Sequence, residues 1–146
     1  MKSLKLKVLL ENGARLPEYK TPGSAGADLR ACLTEGLWIQ PMERMAIPTG
    51  IRLELPEGCE AQVRPRSGLA LEKGLTCLNS PGTIDSDYRG EIKVILINLG
   101  SEPVFIQPGD RIAQLVISTF EHARFEVGEI LAATSRSDGG FGSTGV

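Results

Sequence analysis

The stretch Asn79-Ser-Pro-Gly-Thr-Ile-Asp-Ser-Asp-Tyr-Arg-Gly-Glu-Ile92 lies between two short apolar segments at residues 75–78 and 92–99. Turn-forming residues between two apolar runs predict a hairpin or a tight loop. Pro81-Gly82 suits a type II turn, because proline presets φ and glycine accepts a positive φ. The loop also carries two aspartates, a tyrosine and an arginine. We therefore expect it to hold a functional site, with an ordinary solvated hairpin as the alternative.

Short apolar segments on both sides of this loop predict an all-β fold. Several alternate with polar residues, and Gly and Pro bound most of them, which is typical of strands. The predicted strands are residues 4–8, 28–33, 51–55, 60–64, 92–99, 104–107 and 112–118. With 17 glycines, 9 prolines and almost no helical pattern, the chain is predicted to form a jelly-roll-like barrel or sandwich. Its 146 residues suffice for one core.

One short helix is predicted at residues 67–74, because Ser67 stands where an N-cap belongs and Gly74 stands at the opposite end. Arg64 and Arg66 precede the start of this helix. Free N–H groups and the positive end of the helix dipole favour an anion there, so a phosphate site is expected. The alternative is a capped helix whose arginines are solvated.

Polar side chains in two further stretches have structural alternatives as well. Asp28 can satisfy local backbone donors within Ala-Gly-Ala-Asp-Leu-Arg-Ala, instead of holding a ligand. Arg111 can pair with the neighbouring Asp110, and Gln114 can point to water. The sequence of these stretches alone leaves both interpretations open.

Composition excludes several classes of function. The net charge of −2 argues against a protein that binds the nucleic-acid backbone. Cys32, Cys59 and Cys77 are far apart and lack a Cys-x-x-Cys spacing, so reduced thiols are expected rather than disulfides or a zinc site. His122 is the single histidine, which argues against a histidine-based metal site and against a Ser-His-Asp triad within one chain. No apolar run reaches membrane-spanning or signal-peptide length, so a soluble, intracellular and cytoplasmic protein is expected.

The C-terminal segment differs in composition from the rest of the chain. We predict two units: a β core over residues 1–131 and a flexible arm over residues 132–146. The arm combines four glycines with hydroxyl side chains, Arg136 and the aromatic Phe141. Glycine amides, hydroxyls and a guanidinium can bind phosphate, and Phe141 can stack on a base. A disposable flexible tail is the alternative.

Five stretches of the chain, taken together, resemble the five motifs of the homotrimeric dUTPase family (dUTP diphosphatases) in order and spacing. They are residues 25–31, 64–70, 79–92, 108–116 and 136–145. The resemblance spans nearly the whole chain. It implies a jelly-roll trimer whose sites are each built from three chains. It also implies an enzyme that hydrolyses dUTP to dUMP and pyrophosphate, which keeps uracil out of DNA and supplies dUMP for thymidylate synthesis.

The resemblance also implies catalytic roles and a cofactor. Asp85 matches the aspartate that activates the attacking water at the α-phosphorus, and Gln114 matches the residue that helps to place this water. Asp28 matches the carboxylate that holds the hydration shell of Mg²⁺ on the triphosphate, through water. Neither nucleic acid nor membrane is expected as a partner; the partners are dUTP and two further copies of the chain.

The remaining site residues follow from the same resemblance. Tyr88 matches the tyrosine packed under the deoxyribose, where a 2′-hydroxyl would clash. The other substrate-binding residues are expected to be Arg66, Ser67, Gly68 and Arg111 for phosphate, Asn79, Thr83 and Ile84 for the uracil edge, Arg136, Gly142, Ser143 and Thr144 for the closing arm, and Phe141 over uracil.

Two other functions are compatible with this scaffold. A dCTP deaminase shares the fold and the trimer but acts on cytosine, whereas the loop around Asp85 and the intact arm favour uracil and pyrophosphate release. A regulatory nucleotide sensor would bind dUTP without hydrolysing it, and the presence of both Asp85 and Gln114 argues against it.

Overall fold

The computed structural model describes residues 3–145, so Met1, Lys2 and Val146, which belong to the two predicted units, lie outside the described residues. Over this range the chain forms eleven strands and one helix, α1, at Ser67–Lys73. The strands are β1 Lys7–Leu10, β2 Ala27–Arg30, β3 Leu37–Ile39, β4 Arg44–Pro48, β5 Ile51–Glu54, β6 Cys59–Arg64, β7 Leu75–Cys77, β8 Gly82–Ile84, β9 Lys93–Asn98, β10 Val104–Ile106 and β11 Arg111–Thr119.

The strands pair antiparallel in four sheets over residues 3–145. The largest has the order β2-β11-β6-β8, and a three-stranded sheet has the order β4-β9-β7. Two-stranded pairs, β1 with β5 and β3 with β10, complete the arrangement. Strands that are distant in the chain become neighbours, as β2 and β11 do, which is typical of jelly-roll topology. The prediction of an all-β, jelly-roll-like fold with one short helix is confirmed.

One apolar cluster receives buried side chains from all four sheets. In β6 the side chains of Cys59, Ala61 and Val63 are buried, while those between them are only partly covered. Each fully buried leucine or isoleucine, such as Leu29 or Ile47, contributes about 1.5–3 kcal/mol relative to an exposed position. The period-two pattern of the sequence therefore sets which face of each strand meets the core.

Asn98, at the end of β9, is a fully buried polar residue within this core. Its Nδ2 donates to the carbonyl oxygens of Ile39 at 2.9 Å and Glu102 at 2.8 Å. Its Oδ1 accepts from the backbone N–H of Gly100 at 2.9 Å. Because all these polar groups are paired, their hydrogen bonds offset the cost of desolvation, and the amide joins β3, β9 and the turn before β10.

The polar stretch at residues 79–92 is the loop of a hairpin and also a bridge between two sheets. Its flanking strands β7 and β9 pair with each other, with Cys77 opposite Leu96, which confirms the predicted hairpin. Within the loop, β8 leaves this sheet and pairs with β6 of the other one. The predicted type II turn is wrong, because Gly82 begins β8 and does not have a positive φ.

The helix ends as predicted and begins differently. Gly74 adopts the left-handed conformation with φ 66° and donates its N–H to the Ala70 carbonyl at 3.1 Å. Ser67 is not the N-cap, because it is already the first helical residue. Arg66 occupies the N-cap position in an extended conformation, and its carbonyl accepts the N–H of Ala70 at 3.1 Å. The predicted serine cap is therefore wrong.

Other boundaries shift because pairing partners decide them. The first strand begins at Lys7 rather than at residue 4, since its register joins Lys7 to Glu54 and Leu10 to Ile51. Strands β3 and β4 were not predicted, because Leu37–Ile39 is only three residues long and Arg44–Pro48 ends in a proline. Both gain their backbone partners from distant strands, β10 and β9.

The three cysteines are free, as expected. Burial raises the pKa of Cys77 to about 11, so this thiol stays protonated and unreactive at neutral pH. None of the helical structure within residues 3–145 is long and apolar enough to cross a membrane.

The chain after β11 contains no strand or helix up to residue 145. Large apolar side chains within residues 125–131 are nevertheless almost completely exposed. Phe125, Val127, Ile130 and Leu131 have relative exposures of 93%, 106%, 89% and 91%. Exposed apolar side chains of this size in such a run are unusual on the surface of a single domain.

Candidate active site

Two strand pairings bring together three of the five motif stretches, those of Asp28, Arg64 and Gln114. Gln114 on β11 lies opposite Asp28 on β2 and, on its other side, opposite Arg64 on β6. A register shift between Arg111 and Ala113 on β11 marks a bulge or irregularity in this pairing. Irregularities of this kind re-aim side chains at strand ends. The helix start that follows β6 therefore lies next to Asp28 and Arg111.

Asp28 is the centre of this group, which we call the phosphate cluster (Asp28, Arg66, Arg111 and Gln114). Its carboxylate is only 8% exposed and pairs with Arg66 Nε at 3.3 Å and Arg111 Nη1 at 3.1 Å. Arg66 Nη1 also donates to the Arg111 carbonyl at 3.1 Å. Two local contacts considered from the sequence are not formed: the Asp28 carboxylate binds guanidinium groups rather than backbone donors, and Arg111 pairs with Asp28 rather than with Asp110.

The electrostatics of the cluster suit an anion. Two guanidinium groups face one carboxylate, which leaves an excess of one positive charge beside the start of α1. Each guanidinium has five N–H donors, and only some of them are used by Asp28 and the Arg111 carbonyl. The carboxylate therefore orients the two arginines, and their remaining donors are available to phosphate oxygens.

Gln114 is held in place by its own contacts. Its Nε2 donates to the Pro65 carbonyl at 2.9 Å, which leaves the amide oxygen as the group that can accept from water. The side chain also lies directly on Gly26: a Cβ at that position would overlap Gln114 Oε1 and lie 2.9 Å from Cδ. Gly26 lies in the motif stretch at residues 25–31, but the sequence does not indicate that it makes space for Gln114.

A second group of predicted residues lines a cleft of about 570 Å³ beside the hairpin loop. Asn79, Thr83, Ile84, Asp85 and Tyr88 all belong to its lining. The side chain of Asp85 is exposed, so its carboxylate can reach water or ligand. We call this the hairpin cleft.

Tyr88 is positioned by the end of the same loop. Its hydroxyl donates to the Glu91 carbonyl at 3.0 Å, and its side chain is half exposed. Arg89 Nη1 donates to the carbonyl of Ser86 at 2.6 Å, which closes the loop on itself. Glu91 had no predicted role, because a backbone acceptor gives no signal in the sequence.

The phosphate cluster and the hairpin cleft are separate within one chain. None of Asp28, Arg66, Arg111 and Gln114 lines the hairpin cleft. A smaller cavity of about 210 Å³, between α1 and the start of β11, is lined instead by Arg66 and Arg111. Ser67 and Gly68 are exposed at the adjacent helix start.

The predicted arm residues form a third group. Arg136 Nε donates to the Gly139 carbonyl at 2.7 Å, and further turns run through residues 140–145. Phe141 has a relative exposure of 114%, so its ring packs against no other part of the described chain. Gly142, Ser143 and Thr144 are exposed as well.

The described residues suit a magnesium ion only if the ligand supplies most of its coordination. No group of three or more His, Cys, Asp or Glu side chains is placed to hold a metal within residues 3–145. Asp28 is a single carboxylate, and its oxygens keep lone pairs beyond those that accept from the two arginines. Mg²⁺ commonly keeps several waters and binds through one or two carboxylates and substrate phosphates, which this donor set fits.

Comparisons with known proteins identify the family to which this chain belongs. A family model described as dUTPase matches residues 12–145. The deoxyuridine 5′-triphosphate nucleotidohydrolase of Treponema denticola is 60% identical over 137 residues, which cover 94% of this chain and 95% of that protein. The corresponding protein of Chlamydia pneumoniae is 61% identical, over 93% of this chain and 94% of its own length.

Solved structures show the same fold. A Staphylococcus bacteriophage 80alpha dUTPase mutant with dUpNHpp superposes with a TM-score of 0.89 at 26% identity, covering 99% of this chain and 100% of that one. A mutant dUTPase of S. aureus phage phi11, described with a structural Mg(II) ion, has a TM-score of 0.78 at 25% identity over 87% of this chain and 98% of its own. With a family match over most of its length and relatives of about 60% identity, this chain belongs to the dUTPase family of enzymes.

Proposed function

We propose that this protein hydrolyses dUTP to dUMP and pyrophosphate by attack of water at the α-phosphorus. The observation that carries the proposal is the exposed carboxylate of Asp85 in a cleft that is also lined by Asn79 and Tyr88. The cleft offers an amide and backbone groups for a base edge, a ring for a sugar and a carboxylate for water. Membership of the dUTPase family supports the choice of substrate.

Asp85 acts as the general base in this mechanism. It accepts a proton from the water that attacks the α-phosphorus, and the pyrophosphate leaves from the opposite side. A carboxylate suits this role because its oxygens accept hydrogen bonds, and the exposure of Asp85 lets it contact water. Gln114 fixes the same water through its amide oxygen, since its Nε2 is already bound to the Pro65 carbonyl.

The phosphate cluster neutralises the charge of the triphosphate. Arg66, Arg111 and the amides at Ser67 and Gly68 donate to phosphate oxygens, and the Asp28 carboxylate keeps the two guanidinium groups oriented. Mg²⁺, when bound to the triphosphate, neutralises part of its charge, and Asp28 would contact its hydration shell through water.

Residues 132–146 act as an arm that closes over the bound nucleotide, and residues 1–131 form the core unit. Arg136, Ser143, Thr144 and the amide of Gly142 bind the terminal phosphates, and Phe141 stacks on the uracil. Support comes from the exposure of all these side chains, which leaves them free to contact a ligand. Closure excludes water from the phosphates and adds donors to the transition state.

The working unit is a homotrimer whose sites are shared between chains. Support comes from the separation of Gln114 from the hairpin cleft within one chain, since both must contact one nucleotide. The exposed apolar residues within 120–131 support it further, because assembly would cover them. In a cell, this activity in the cytoplasm would keep uracil out of DNA and provide dUMP for thymidylate synthesis.

Pyrophosphate release from dUTP, dCTP, dTTP and UTP, each with Mg²⁺ or with a chelator, tests the proposed reaction. Rapid Mg²⁺-dependent release from dUTP alone is expected. Ammonia released from dCTP would instead indicate a deaminase, and tight dUTP binding without release would indicate a nucleotide sensor.

Hydrolysis in water labelled with ¹⁸O tests the point of attack. The label is expected in the phosphate of dUMP, because the new P–O bond forms at the α-phosphorus. Label in the pyrophosphate would contradict the proposed mechanism, even if dUTP were the substrate.

A further inference from the structure

Gly90, in the hairpin loop, is a glycine that the backbone conformation does not require. Its φ is not positive, in contrast to Gly58, Gly74 and Gly109, which adopt the region that other residues avoid. The reason for a glycine at this position must therefore be space.

The space is taken by the ring of Tyr88. A Cβ on Gly90 would overlap the Tyr88 hydroxyl oxygen and Cζ, and it would lie 2.8 Å from Cε2. The ring therefore lies against the Gly90 backbone on one side. On the other side it lines the hairpin cleft.

The surface under the ring is held firmly. The Tyr88 hydroxyl donates to the Glu91 carbonyl at 3.0 Å. The Glu91 side chain accepts from the Gly50 N–H at 3.0 Å, and the following Ile92 N–H donates to the Ile51 carbonyl at 2.8 Å. The backbone below the ring is thereby tied to the start of β5, so the ring rather than the loop must move if Gly90 gains a side chain.

We propose that Gly90 is a specificity-determining residue that acts by positioning Tyr88. The missing side chain lets the ring lie at a depth that leaves room for a 2′-deoxyribose and none for a 2′-hydroxyl. This inference rests on the proposed function, because it takes the sugar of dUTP to pack on Tyr88. It assigns the discrimination between dUTP and UTP to a residue that does not itself contact the nucleotide.

The test compares kcat and KM for dUTP and UTP in the wild type and in Gly90→Ala. We expect the ratio of kcat/KM for dUTP over UTP to fall at least about tenfold, because rejection of an added hydroxyl by an apolar contact amounts to roughly 100-fold in total. For dUTP the change is expected in KM, with kcat within about threefold, since Asp85 and Gln114 are untouched. Gly23→Ala, where a Cβ meets nothing within 4 Å, is the matched control.

A double-mutant cycle with Tyr88→Ala separates positioning from a general effect on the loop. Without the ring there is nothing to displace, so Gly90→Ala should change the ratio by less than about twofold in the Tyr88→Ala background. An equal loss in both backgrounds, or an unchanged ratio in the single variant, would overturn the inference.

Two controls distinguish failure of the inference on Gly90 from failure of the proposed function and from misfolding of the variant. If the wild type releases no pyrophosphate from dUTP, the proposed function itself fails. If Gly90→Ala does not fold, Tyr88→Leu keeps the glycine and removes the ring from above it. The same loss of discrimination is then expected, and an unchanged ratio would overturn the inference.

Discussion

Asp28 shows how a single residue can organise others without reacting itself. Its buried carboxylate binds Arg66 at 3.3 Å and Arg111 at 3.1 Å, and these two arginines lie far apart in the sequence. Removal of one partner from such a pair leaves an uncompensated buried charge, which is more costly than the pair is favourable. Substitutions of single residues can therefore distinguish a residue that positions others from a residue that takes part in the reaction.

Asp85→Asn should retain nucleotide binding and lose turnover by at least about 100-fold, the usual scale for a positioned general base. Binding of a non-hydrolysable dUTP analogue by calorimetry and single-turnover pyrophosphate release would be measured together. Asp87→Asn, a second exposed aspartate in the same loop, is the matched control and should turn over normally. Near-normal turnover of the Asp85 variant would remove this carboxylate from the mechanism.

Gly26→Ala should reduce kcat by about 10- to 100-fold, because a methyl group at that position displaces the Gln114 amide from its bond to the Pro65 carbonyl. Gly23→Ala, with open space around it, is expected to match the wild type. In a Gln114→Ala background the Gly26 substitution should have almost no further effect. Full additivity of the two changes would show that Gly26 does not act through Gln114.

At the scale of elements, the most regular patterns were predictable. β5, β6 and β9 lie within two residues of their predicted limits. Alternation of buried and open positions in β5 and β6, and the apolar run Val94–Ile97 in β9, indicate a strand without reference to its partner. β8 could not be predicted, since Gly82–Ile84 follows turn-forming residues and becomes a strand only by pairing with β6. The helix start was misjudged because Arg66, committed to Asp28, occupies the cap position that Ser67 was expected to take.

The candidate site was predictable as a set of residues and unpredictable as an arrangement. The family resemblance is confirmed, and its motif residues are found in two clusters and an exposed arm. No local sequence pattern indicates that Gln114 lies opposite Asp28 whereas Asp85 does not. These neighbours are set by the register of strands that are distant in the chain. The individual roles of these residues stay predictions.

The arm is expected to contribute to turnover and not to the stability of the core. Deletion of residues 132–146 should leave the melting temperature within about 2 °C, because residues 132–145 bury almost no apolar surface against the core. Turnover of dUTP should fall at least about 100-fold. The deletion removes hydrogen-bond donors and admits water to the phosphates, and both effects are largest in the transition state. Full activity after deletion would identify the segment as a solvated tail.

The emission of a tryptophan at position 141 would report arm closure directly. Phe141→Trp should change its fluorescence when a non-hydrolysable dUTP analogue and Mg²⁺ are added, and much less with dUMP, which lacks the phosphates that hold the arm. Trp38→Phe in the same protein removes the single native tryptophan and its background. An unchanged signal with the triphosphate analogue would contradict closure over the base.

At the scale of the whole molecule, assembly is the proposal with the widest consequence. The exposed apolar residues within 120–131 and the divided site both call for further copies of the chain. Light scattering should give three times the chain mass. A fully active monomer would contradict shared sites.

Subunit mixing tests whether Asp85 and Gln114 reach one nucleotide from different chains. Asp85→Asn and Gln114→Ala are each expected to be inactive alone, yet a refolded one-to-one mixture should regain about a quarter of wild-type sites, each with both groups intact. Gln114→Ala mixed with Arg66→Ala is the matched control. These two residues lie in one cluster of one chain, so no site can regain both, and recovery there would contradict the division.

The passage of the hairpin loop from one sheet to the other has a mechanical consequence. The hairpin cleft is lined by Val63 and Ile84 of the β6-β8 sheet and by Ala46 and Ile95 of the β4-β9 sheet. We therefore expect a nucleotide bound in the cleft to contact both sheets and to restrict their relative motion. Amide hydrogen exchange should slow in both sheets on binding of a dUTP analogue, including at backbone groups that never touch it. Slowing confined to the loop would mean that the sheets are already rigid without ligand.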